Sequence, residues 1–169
     1  MTFVDSLEKL LSHELEPYIF EHFIYNNTDD IERFFADAPD LFLLLLETDY
    51  RDKLQLDKVI LQLQEFLSVH PDLHNFAPFL LMSFEKRMYT AFDKGCMNEG
   101  QYLDGLEYTY YLAADFCLRV ETGQALADFF CVILPDKVLL ESYINALHIV
   151  GLENHSLLLD EAYSRLKAK

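Results

Sequence analysis

The chain has 169 residues, 51% of them hydrophobic and 14% aromatic, with 29 Asp and Glu against 13 Lys and Arg, a formal net charge of −16. That length and apolar content suit one folded domain with a proper core and exclude a disordered acidic tail. The negative field repels nucleic acid and anionic membranes and draws in basic partners.

The hydrophobic periodicity is helical nearly throughout and predicts a single all-α domain, 1–169, of about eight or nine helices. Pro17 either begins a second short helix or kinks the first. Asn27, Thr28 and Asp29 can cap a helix beginning near Asp30, with Phe34 and Phe35 turned inward. Asp40, next to Pro39, marks another start, and Leu41–Leu46 is apolar all round, which as helix must be buried on most sides. Leu56, Val59, Ile60, Leu63, Phe66 and Leu67 form a stripe at helical spacing, after which Asp72 beside Pro71 signals a new start. A second stripe runs through Leu103, Leu106, Tyr110, Ala113, Ala114 and Cys117, and a third through Leu126, Phe129, Phe130 and Ile133. Pro135-Asp136 fits a first helical turn, Gly151 a helix stop, and Leu159, Ala162, Tyr163 and Leu166 a last stripe. No segment shows strand alternation bounded by hairpin turns.

Charge is segregated along the chain. Residues 1–50 carry 12 acids and 2 bases, a balance of −10, and residues 88–136 carry 8 and 2, a balance of −6. Residues 51–87 balance at 5 and 5, and residues 137–169 at 4 and 4, so the whole excess lies in two segments. The segment His22–Tyr50 alone sets seven carboxylates against Arg33.

Motifs for chemistry are scarce. Cys96, Cys117 and Cys131 have no CxxC spacing, which argues against a disulfide framework or cysteine zinc site and suits a reducing cytosol. Cys117 and Cys131 fall on apolar stripes, as inert core thiols do. No signal peptide is evident, and the longest apolar run is too short to span a bilayer, so a cytoplasmic protein is expected. His70 and His74 have the interval of two ligands on one helix face, but Pro71 sets them across a helix boundary. There is no HExxH, GxSxG, P-loop or GxGxxG, and "NNTDDIERFFAD" lacks the Gly and spacing of a calcium loop. The expectation is a non-enzyme with no catalytic residue, metal or cofactor.

What remains is the carboxylates. An exposed row of acids is ordinarily a solvated face, but groups four residues apart on a helix stand about 6 Å apart. That density is comparable to one strand of duplex phosphates, which advance about 3.4 Å per base pair. Asp104, Glu107 and Asp115 share a narrow sector of their helix, away from its apolar stripe. The candidate contact residues are Asp29, Asp30, Glu32, Asp37, Asp40, Glu47 and Asp49 in the first segment. Glu99, Asp104, Glu107, Asp115, Glu121 and Asp128 complete the set in the second.

The stretches "YTYYLAADFCLRVETGQALADFF" and "YINALHIVGLENHSLLLDEAYSRL", within residues 108–166, resemble the bacterial DNA-mimic protein family of the nineteen-kilodalton type. Phe129 and Phe130 fit that family's aromatic pair; Ala146, Leu147, Val150, Gly151, Leu158, Leu159, Glu161 and Ala162 fit its closing helical pair. The family's central Asn-Gly-Gly is here Thr122-Gly123-Gln124. The resemblance implies an all-α homodimer whose acidic surface imitates duplex DNA and blocks a helix-turn-helix transcription regulator. It transfers scaffold residues only; the acidic candidates come from the charge pattern. The expected partner is therefore a basic DNA-binding protein, with no direct binding of nucleic acid or membrane. The alternative is an acidic immunity or adaptor protein neutralising a basic toxin or enzyme.

Overall fold

A computed structural model describes residues 1–98, 103–122 and 126–167, which form ten α-helices, two short 3-10 turns and no strand. The all-α expectation holds, and Glu99, Gly123 and Gln124 lie outside the described residues. The chain divides into two compact units, Met1–Ser83 and Phe84–Lys169.

The first unit holds α1 (Phe3–Leu11), α2 (Pro17–Asn26), α3 (Thr28–Phe34), α4 (Pro39–Glu47) and α5 (Lys53–Ser68), then 3-10 turns at Pro71–Leu73 and Pro78–Leu81. A capping box opens α1: the Asp5 amide donates to Thr2 Oγ1 at 3.1 Å and the Thr2 amide to Asp5 Oδ2 at 2.7 Å. These bonds hold the Asp5 carboxyl below its usual range. Pro17 stands at the first turn of α2, where its missing N–H costs nothing, so it starts that helix and does not kink α1. The next helix begins at Thr28, two residues earlier than its cap signals placed it. Asn27 is its N-cap residue but spends its side chain on the Phe23 carbonyl, 2.7 Å away. The start expected near Asp72 is only a 3-10 turn. Phe3, Phe20, Phe35 and Phe66 form the aromatic centre, with Phe3–Phe35 and Phe35–Phe66 centroids 5.3 and 5.2 Å apart. Gln64, buried in α5, donates to the Leu80 and Met82 carbonyls at 2.8 Å each and ties down the segment after the helix. The expectation that Leu41–Leu46 is buried on most sides holds, with Leu44 and Leu46 half-buried. Leu41, Phe42 and Leu45 are buried but Leu43 is 51% exposed, because α4 packs on α2, α3 and α5 and leaves one side in water.

The second unit holds α6 (Phe84–Asn98), α7 (Gly105–Thr122), α8 (Leu126–Ile133), α9 (Lys137–Ile149) and α10 (Glu153–Lys167). Helix α7 lies against both α6 and α9, and α10 packs on α9. The close approach of α6 and α7 runs through Gly95, where an added Cβ would stand 2.3 Å from Tyr111 Cδ2. Asp136 is the N-cap residue of α9, not part of its first turn, and accepts the Leu139 amide at 2.9 Å. Gly151 stops α9 with φ 77°, and Leu152 N–H reaches back to the Leu147 carbonyl at 2.8 Å. The last stripe is imperfect: Leu159 and Tyr163 are buried, but Leu166 is exposed.

Candidate functional site

In the first unit the helices α3 and α4 meet at a corner built by Phe35, Ala36, Asp37, Ala38 and Pro39. Phe35 turns into the core as expected, and Phe34 is half-buried at 4.9 Å from it. Pinning these rings leaves the polar positions on the outside. Asp29, Asp30, Glu32, Asp37, Asp40, Glu47 and Asp49 are all exposed. Asp30 pairs with Arg33 at 3.3 Å, across a surface where such a pair is worth little. Among the described residues, Asp29, Glu32, Asp37, Asp40, Glu47 and Asp49 enter no ion pair. Asp49 accepts the Arg51 amide at 3.0 Å; the other five carry charge that no hydrogen bond here requires.

Two hollows flank Pro39. One, about 410 Å³, is lined by Asp29, Glu32 and Arg33 over Phe35, Ala36 and Phe42. The other, about 540 Å³, is lined by Asp37, Asp40 and Glu65 with Leu41, Phe66 and Val69. Glu65 was not singled out from sequence, since it sits in the charge-balanced segment and segment totals conceal it. The hollows have no sequence signature, because α5 supplies one wall of the second from residues distant in the chain.

The second unit uses its carboxylates differently. Asp115 is the clear correction: it is 6% exposed, not a surface group. It takes hydrogen bonds from Arg119 Nε at 2.9 Å and Tyr143 Oη at 2.7 Å. The Arg119 guanidinium lies 5.4 Å from the Phe129 ring centre, and Phe129 meets Tyr143 edge-on at 5.0 Å. The reason is that α7 has neighbours on two sides, so a sector well away from its main apolar stripe is still interior. Glu107 is half-buried and paired with Lys94. Asp104 is exposed but closes a capping box at the start of α7, accepting the Glu107 amide at 2.8 Å while its own N–H donates to Glu107 Oε2 at 3.2 Å. Among the described residues of this set, Glu121 and Asp128 are exposed and enter neither an ion pair nor a capping hydrogen bond.

The histidine pair serves the helix end of α5. His70 Nδ1 lies 2.7 Å from the Phe66 carbonyl, and its ring stacks on Phe66 at 4.3 Å. His74 accepts the Phe76 amide at Nδ1, 3.0 Å away, so its Nε2 carries the hydrogen that meets the Leu67 carbonyl at 3.0 Å. Both imidazoles thus add a second bond to carbonyls of the last turn of α5, which also accept the Val69 and His70 amides. Burial pushes the thiol of half-buried Cys117 up, whereas Cys131 is exposed on the outer side of α8 and is not the core thiol expected. Among the described residues no helix is long and apolar enough to cross a membrane.

Comparison with protein-family models, with curated proteins and with solved structures finds no match.

Proposed function

We propose that this is a DNA-mimic interaction protein, acting in the cytoplasm as a homodimer, whose acidic surface occupies the DNA-contacting face of a basic helix-turn-helix regulator and blocks operator binding. One observation carries this reading. Six carboxylates between Asp29 and Asp49 stand exposed and outside every ion pair among the described residues. Uncompensated charge of this density costs the folded state self-repulsion, and the fold offsets only part of it, through the amide bond to Asp49 and the first-turn positions of Asp29 and Asp40. A basic surface evolved to bind phosphate rows supplies the missing countercharge, releasing ions and speeding encounter as it docks. Asp29, Glu32, Asp37, Asp40, Glu47 and Asp49 carry most of the role, with Glu121 and Asp128 the remaining candidates. Asp104, Glu107 and Asp115 are assigned to the scaffold.

The test is competition. The protein should displace operator DNA from a purified helix-turn-helix regulator, and its affinity should fall at least about tenfold between about 50 and about 200 mM salt. Binding that is indifferent to salt, or that leaves DNA in place, would overturn the proposal. Capture of a nuclease or toxin in place of a regulator would favour the immunity role.

A further inference from the structure

The hollows beside Pro39 are acidic at the rim and apolar at the floor, and a simple imitation of phosphates needs only the first property. Across both, the lining side chains comprise five acids (Asp29, Glu32, Asp37, Asp40 and Glu65) and the single base Arg33, a local balance of −4. Between the acids lie exposed Ala36, Pro39 and Val69, with Phe42 and Phe66 beneath. Val69 is 70% exposed, which a soluble surface tolerates singly but which here adjoins other apolar groups in a depression.

We infer that the corner between α3 and α4 docks an amphipathic basic helix of the partner protein. Its apolar side chains sit in the two hollows and its Lys and Arg side chains meet the surrounding carboxylates. The inference rests on the partner being basic, as proposed above, and adds where it binds and what else it must offer. Charge complementarity selects the occupant. A second copy of a chain at −16, a nucleic acid and an anionic lipid surface all bring like charge to this rim. A free cation or an oligolysine satisfies the rim and leaves the floor wet. An amphipathic helix presents one apolar stripe flanked by polar positions, which matches an apolar centre line between acids. The rim then sets the association rate, and the floor sets how long the complex lasts.

The test compares two fluorescent probes on the full chain by anisotropy at about 150 mM salt. One is a helical peptide of about 18 residues, five turns, made of Leu, Ala, Lys and Arg in amphipathic order. The other is an oligolysine of equal charge. The peptide should bind at least about tenfold tighter, the margin that burying one apolar side chain supplies. Ala36→Gln and Val69→Gln change exposed positions to uncharged polar ones. Together they should abolish that margin and leave oligolysine affinity unchanged, with circular dichroism confirming retained helix. A combined Asp29→Asn, Glu32→Gln, Asp37→Asn and Asp40→Asn variant should weaken both probes. Equal affinity for the two probes, or a margin that survives both Gln substitutions, overturns the docking inference and leaves the phosphate-surrogate reading standing. Conversely, a peptide that binds while oligolysine does not supports docking and overturns that reading.

Discussion

Replacing Gly95 by alanine tests the packing of the second unit most directly, because two calculable effects oppose each other. In a helix interior alanine is favoured over glycine by about 0.5–1 kcal/mol through backbone entropy. Against that, the new methyl would stand 2.3, 2.6 and 2.9 Å from Tyr111 Cδ2, Cε2 and Cγ. Ordinary carbon contacts begin near about 3.5 Å, so the ring must retreat by roughly 1 Å. Cγ lies at the root of the ring, so rotating the far end does not relieve the contact. The ring is also backed by Phe92 and Tyr108, each 6.2 Å away between centroids. Overpacking of this kind costs about 1–3 kcal/mol, which outweighs the propensity gain. We expect Gly95→Ala to lower stability by about 0.5–2 kcal/mol, read by urea denaturation, or several degrees in Tm for a unit of this size. The decisive control is a double-mutant cycle: with Tyr111→Ala already present, Gly95→Ala should become neutral or stabilising. A stabilising Gly95→Ala in the wild-type background would show that α6 and α7 do not approach through this glycine.

Asp115→Ala should cost about 2–3 kcal/mol in denaturation, discounted for partial exposure of Arg119, because it strands that guanidinium and the Tyr143 hydroxyl. Asp29→Ala should stay within about 0.5 kcal/mol, since Asp29 is exposed and outside any ion pair among the described residues. Gly151→Ala should destabilise by about 1–2 kcal/mol by forcing a side chain into the left-handed region, and Gly151→Asn by less. Burial first, and for Tyr143 the hydrogen bond to Asp115 next, push the Tyr50 and Tyr143 phenols well above the ordinary value. The folded state therefore holds these protons more tightly: the contribution is complete below about pH 10 and is lost above it at about 1.4 kcal/mol per pH unit for each phenol. Denaturation curves from pH 9 to pH 11 should show this decline, made shallower by Tyr143→Phe.

The helices were legible in the sequence because each needed only its own apolar period and end signals: Pro17, Asp136 and Gly151 all sit at the ends they mark. Signals that competed with side-chain bonding were less exact, as where Asn27 turns back to Phe23 and α3 starts early. The acidic residues divided along the same line. Those between Asp29 and Asp49 were legible as surface, since short amphipathic helices have one wet side. Asp115 was not, because its burial is set by α9, whose Tyr143 reaches it from 28 residues away. Glu107 was hidden for the same reason, its partner Lys94 belonging to α6. Gly95 and the floor of the hollows are tertiary features and left no local trace.

Among the described residues, the carboxylates lining the hollows near Pro39 enter no ion pair, whereas Asp115 and Glu107 are knitted into bonds that the helices need. On the proposed reading, mutation can therefore shuffle the first group's number and spacing at little cost, and a lineage carrying this scaffold can follow a changing target, or acquire a new one, with its folding largely undisturbed.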